Sequence, residues 1–315
     1  MVDGPHFAKR LRGARAKNMR EITLEQLLEA GCHFGHQVTR SNPKARDFIF
    51  EARDGIHIID LAKTKEGLEE AAKFLKNLAK DSAANIVIVG TKRQSHEILL
   101  KEIARIKSEI KGDPGLFYVT NKWIGGLLTN FGEVSKNFKK LIDLTHKLST
   151  PSEQEGFTKK EVGGWAKDKE KLEGFYGGVY TMIKKPDALF IVDSHLEDLA
   201  VREALKMDVP TVAIVDTNAD PNVVDYPIPA NDDAVGSLEL IIGYIMDAWA
   251  EGKNSVKEVK AVEVKVEKNA KPAARSSETA EKSLPKSSKE TKTEKPKPKT
   301  PAKSKPVKTS KEKKS

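Results

Sequence analysis

An α/β fold with a doubly wound parallel sheet is what this sequence predicts, on three observations. Four short runs are apolar almost without interruption: Ile86–Val89, Leu116–Val119, Ala188–Val192 and Thr211–Val215. Runs of that length and character suit strands buried on both faces. Segments with apolar residues at helical spacing stand between them, and glycine or Asx residues (Gly90, Asp193, Asp216) close the runs. Strand and helix in alternation mean a parallel sheet with helices on both sides.

The elements follow in chain order. Thr23-Leu24-Glu25-Gln26 has the form of a capping box, with Thr23 as N-cap and Gln26 reaching back. Gly31 closes that short helix in a left-handed conformation. Phe48–Phe50 and Ile56–Ile59 flank Arg53-Asp54-Gly55, a hairpin with an Asp-Gly turn. Leu68, Ala71, Ala72, Leu75, Leu78 and Ala79 mark an amphipathic helix before the first buried strand, and Leu99, Ile103, Ile106 and Ile110 mark the helix after it. Helices at 196–207 and 236–250 complete the alternation. One segment breaks the rhythm. Val134, Phe138, Leu141, Thr145 and Leu148 form a narrow stripe on a charged helix, Thr150-Pro151-Ser152 turns the chain, and a second charged helix runs from Lys159 to about Leu172. Two such helices predict an inserted coiled-coil hairpin over 131–175.

The charge is divided unevenly. The whole chain of 315 residues carries +9, yet residues 21–250 hold 29 bases against 36 acids. Residues 1–20 hold six bases and one acid, and 251–315 hold 20 bases and nine acids. The organisation expected is a basic arm over 1–20, a mildly acidic domain over 21–252, and a Lys/Pro-rich tail over 253–315. The tail has too few apolar residues to offset its chain entropy and is expected to be disordered. The arm has no apolar core for a secretory signal and no serine for a transit peptide. No run of about 18 apolar residues occurs. The single cysteine, Cys32, excludes an internal disulfide and fits a cytoplasmic setting.

The most informative stretch is Asn121–Phe131. It sets Lys122, Trp123, Gly125, Gly126 and Asn130 between a strand and a helix, without a carboxylate or thiol. A cation pairs with phosphate, an indole stacks on a base, and a Gly-Gly pair lets backbone come close to a ligand. Gly90-Thr91-Lys92-Arg93 follows a strand at a helix start, where phosphate binds well, although neither a Walker A loop nor a G-x-G-x-x-G is present. It reads as a contact to a phosphate backbone, with plain helix capping as the alternative. Arg40, Lys44, Arg46 and Arg53 lie in one irregular stretch, either a phosphate-binding face or a solvated surface.

Other groupings read as structural. Asp216 and Asp220 have the types to share Mg²⁺, but Asp216–Pro221 reads better as a turn. Asp193-Ser194-His195 are adjacent along an extended chain and point apart, which does not suit a triad. Cys32, His33 and His36 lack the further cysteine that a structural zinc site would want, so the histidines read as packing or hydrogen-bonding residues.

The ordered set of segments resembles one family, the bacterial form of the second protein of the small ribosomal subunit. Leu24–Gly35 resembles its first signature, and Pro186–Asp193 with Glu197, Val201, Glu203 and Val209-Pro210 resembles its second. Gly90–Arg93, Trp123–Asn130, Asp216–Pro221 and Ile228–Ala234 stand in the family's order, over about residues 20–250. Ser41 and Asp208 depart from the usual residues. The resemblance implies a Rossmann-like domain with a helical hairpin and a non-enzymatic role, without cofactor, metal, membrane or small-molecule substrate. It implies binding to small-subunit (16S-type) rRNA and docking of the large mRNA-binding first protein of the same subunit. On this reading Arg40, Lys44, Arg46, Arg53, Lys92, Arg93, Lys122, Trp123, Gly125, Gly126 and Asn130 contact rRNA. An enzyme using phosphate at Gly90–Arg93 with a metal at Asp216, and a DNA-packaging protein driven by its tail, are the rivals.

Overall fold

The structure is a computed structural model that describes residues 21–110 and 113–269, with side chains as far as Ser255. The expected arm lies outside the described residues, as does the expected tail beyond Asn269.

The chain opens with α1 (Leu24–Glu29), capped by the predicted box between Thr23 and Gln26. Gly31 follows at φ +78. A small antiparallel sheet comes next, ordered β1 (Phe34–Gln37), β3 (Ile56–Ile59), β2 (Ile49–Arg53). Asp54 and Gly55 both take positive φ between Arg53 and its partner Ile56, as a two-residue hairpin turn requires. β1 goes beyond the sequence reading, because Phe34-Gly-His-Gln has neither an apolar run nor a clean alternation.

The main sheet has β4 (Ile86–Val89), β5 (Leu116–Val119), β6 (Ala188–Ile191), β7 (Thr211–Val215) and β8 (Tyr226–Pro229), all parallel, in the order β5-β4-β6-β7-β8. That is the 2-1-3-4-5 order of the flavodoxin-like doubly wound sheet. β8 is an edge strand with prolines at 227 and 229, residues that weaken any strand reading of the sequence. Ala230 donates its amide to the Val215 carbonyl at 3.3 Å. By the period-two alternation the Ile228 amide turns the same way, and the two prolines take the outward positions. Along that outer side α2 (Leu61–Ala79) packs closely, with Thr64 Oγ1 donating to the Pro229 carbonyl and Gly67 set against that of Pro227.

Alternate residues of each strand feed two cores. Ile86, Ile88, Phe190, Val212 and Ile214 face α2, α3 (Arg93–Glu109) and α7 (Val235–Asn269). Val87, Val89, Leu189, Ile191 and Ala213 face α6 (Asp198–Lys206), the start of α4 (Phe131–Ser149), and the loop carrying Trp123, Leu127 and Leu128. The second face is thus closed partly by a loop. α7 runs past the expected end at Ala250 and past Lys253, whose buried ammonium donates to the carbonyls of Asp81, Ser82 and Ala84.

Between β5 and β6 stand α4 and α5 (Lys159–Tyr176), joined by a turn at Pro151–Gln154. They run antiparallel: Phe138 meets Tyr176 edge-on at 5.6 Å, Lys140 lies 3.7 Å from Asp168, and Lys147 stands over Trp165 at 5.5 Å. The apolar stripe on α4 passes through Val134, Phe138, Leu141 and Leu144, with Thr145 exposed. No residue of α5 is buried, so the pair meets along a single narrow seam.

Candidate nucleic-acid interface

Every parallel strand ends at the same edge of the sheet, where doubly wound folds bind their ligands. Five loops gather there: Gly90–Lys92, Thr120–Asn130, Val192–Glu197, Asp216–Asp220 and Ala230–Ala234. The small sheet is tied to the same edge, since Asn42 donates its amide to the Thr217 carbonyl at 2.7 Å and His36 to Thr217 Oγ1 at 2.9 Å.

Lys92 does not present its charge to solvent, contrary to the expected phosphate contact. Its ammonium lies 2.9 Å from Asp193, 2.8 Å from Asp232 and 2.8 Å from Asp233. Burial opposes the charge there, but the carboxylates of Asp232 and Asp193 outweigh it and hold the lysine well above its usual range. Asp232 is 1% exposed. Its Oδ1 is the oxygen that faces the Lys92 ammonium. Burial, then repulsion from Asp193 and Asp216, pushes Asp232 up to about 7. His36 completes the group: Nδ1 is 3.1 Å from Asp216, and that hydrogen bond raises its pKa despite some burial. Beside them Thr91 donates to Glu197, whose carboxyl is also raised by burial. The crevice at the switch point of the sheet, between β4 and β6, is therefore filled by the protein's own ion pairs. Gly90 serves packing, because a Cβ there would stand 2.4 Å from Leu99.

The Asn121–Asn130 stretch also differs from expectation. Trp123 is 5% exposed, so its indole has no free face for stacking on a base. The cause is the fold: Trp123, Leu127 and Leu128 cover the part of this sheet face that α6 and α4 leave open. The backbone freed by Gly125-Gly126 does approach an anion, but an internal one. The Glu203 carboxylate, reaching up from α6, accepts from the amides of Gly126 (2.6 Å), Leu128 (3.2 Å) and Thr129 (3.3 Å). Thr129 Oγ1 at 3.3 Å and Trp123 Nε1 at 3.5 Å complete the ring of donors. Gly126 sits at φ +91, a conformation that favours glycine. Glu203 was legible as unusual, since Ala200, Val201 and Ala204 place it on the buried side of α6.

What remains outward is a set of cations and amides. Arg40, Lys44, Arg46, Arg53, Arg93, Lys122, Gly125 and Asn130 are exposed. Lys44 pairs with Asp220 at 2.6 Å, and that hydrogen bond holds Asp220 below the usual carboxylate range. Among the described residues no ion pair engages Arg40, Arg46, Arg53, Arg93 or Lys122.

The remaining groupings have structural uses. Asp220 also accepts from the Asn222 amide, as a turn residue does. Asp193 Oδ1 accepts from the amides of His195 and Leu196, while Ser194 Oγ donates to the Ile214 carbonyl. Cys32 is buried, which pushes its thiol up to about 11. One ligand atom each from His36, Asp216 and Asp232 lie within 4.8 Å, a spacing that fits a cation; two of these groups already pair with each other and the third with Lys92.

Fold and edge define an α/β domain of the doubly wound class, with carboxylates gathered inside its loops and cations displayed outside. A family model described as Ribosomal protein S2 matches residues 27–252, so the chain belongs to the ribosomal protein S2 family. It is a structural protein of the small ribosomal subunit and takes part in translation. Among the described residues no helix is long and apolar enough to cross a membrane.

Proposed function

We propose that this protein binds small-subunit (16S-type) rRNA through the outward cations of its carboxyl-edge loops. Arg40, Arg46 and Arg53 form one contact group with Lys44, and Arg93, Lys122 and Asn130 form a second. The observation that carries the reading is the exposure of five of these cations without an ion-pair partner among the described residues, in a member of a ribosomal family. Free guanidinium and ammonium groups meet phosphate at little desolvation cost, and phosphate contacts dominate such affinity. Lys92 and Trp123 act within the scaffold, and Gly125 and Gly126 shape the loop.

The finer parts of the reading belong with it. The α4–α5 pair acts as a coiled-coil hairpin, and the acidic remainder of the surface docks the large mRNA-binding first protein of the subunit. The basic arm and tail add salt-sensitive tethering to nearby rRNA in the cytoplasmic ribosome. No catalytic group, cofactor or small-molecule substrate enters.

Sedimentation through sucrose gradients at rising salt tests this. Wild-type protein is expected in the small-subunit fraction at near one copy, with the Arg93→Glu/Lys122→Glu variant lost at lower salt. A variant retained like wild type across the salt series would sink the assignment of that group.

A further inference from the structure

We infer that Glu203 is a positioning residue for rRNA contact, holding the Asn121–Asn130 loop in its binding shape from beneath. The inference rests on the proposed reading of that loop as an rRNA contact. The loop has no helix or strand of its own between β5 and α4, yet five donors in it converge on one carboxylate. Glu203 comes from α6, 74 to 80 residues away in sequence, so it staples the loop to the rigid sheet. Lys122 directly precedes Trp123, whose indole is one of the donors. Asn130 directly follows Thr129, which gives two more. The two groups that face solvent are therefore fixed by neighbours fastened inside.

The charge matters as much as the staple. Two of the donors, the Leu128 amide and the Trp123 indole N–H, make buried contacts and would otherwise lack partners in a site where Glu203 is 7% exposed. A glutamine of the same size presents an acceptor to one set of amides and its own NH₂ to the other, donor against donor. The donors around the carboxylate also stabilise its charge inside the fold, beneath the loop. A loop held in one conformation loses less entropy when it docks.

The test combines amide hydrogen exchange with rRNA binding by Glu203→Gln, Lys122→Glu and the double variant. Glu203→Gln is expected to speed exchange at Gly126, or at Leu128 and Thr129, at least tenfold. It should weaken binding to a small-subunit rRNA fragment about fivefold. Lys122→Glu should weaken binding with no change in exchange. In the double variant Lys122→Glu should cost less than twofold more, because the cation is already misplaced. Losses that multiply, or unchanged exchange, overturn the role of Glu203 while leaving the loop reading intact. Lys122→Glu without effect removes the loop reading and the inference with it. If Glu203→Gln fails to fold, Thr129→Val removes one donor alone, and the same coupling is expected at smaller size.

Discussion

The loops that leave β4 and β5 carry similar residues, a glycine, a hydroxyl and a cation, and they use them in opposite directions. In the first, the cation turns inward: Lys92 sits among Asp193, Asp232 and Asp233, and its glycine lets a helix pack against the sheet. In the second, the cation stays outside and the backbone turns inward, around Glu203. The difference lies in what each loop must cover. Helix α3 follows the β4 loop at once and seals the core, so its side chains are free to fill the crevice. The β5 loop seals the core itself with Trp123, Leu127 and Leu128, and its bent backbone then needs an acceptor. A cation beside glycine thus indicates an anion nearby without saying whether that anion belongs to the protein.

Removing each internal anion or cation in turn breaks the comparison. The largest effect is expected from Glu203→Ala, which strands two buried and three part-buried donors at once and should cost about 4 kcal/mol in urea unfolding. Lys92→Met leaves Asp193 and Asp232 unneutralised and should cost roughly 3 kcal/mol, with Asp232→Asn in the same chain restoring part of it.

A pH series sharpens the contrast further. Asp232 titrates near 7 in the folded protein against an ordinary 3.8, and His36 is raised as well. Folded protein therefore keeps protons that the unfolded chain has released, so stability from this cluster falls as pH rises through about 4 to 7. His36 continues the fall above 6.5, through its own raised pKa. The melting temperature should drop from pH 5 to pH 8, and Asp232→Asn should flatten that slope. The smallest effect on stability is expected at the exposed positions. Arg93→Glu should change unfolding by less than about 0.5 kcal/mol while lowering retention on the subunit.

The sequence made much of the fold readable, for a physical reason. A doubly buried strand must be apolar throughout, so β4, β5, β6 and β7 declared themselves, and α1 did so through its capping box. β8 was hidden by Pro227 and Pro229, and β1 by its mixed residues. The site was less legible. Lys92 and Trp123 were recognisable as special, but their roles depend on Asp232 and Glu203, which lie 140 and 80 residues further on. Residue type reveals that a group needs a partner; only the fold tells which partner it finds. For Arg40, Lys44, Arg46 and Arg53 the sequence left two readings open, a phosphate-binding face or a solvated surface, and their exposure is compatible with both.

The prolines of β8 have a consequence for the protein away from its ribosome. A parallel sheet with an open edge is a template on which another extended chain can add itself. Here the outward positions of the last strand carry no N–H to offer, and the carbonyls beside them are turned toward α2. A stray strand would find neither donors nor room. The same residues that obscure this strand in the sequence close this edge of the sheet to a further strand.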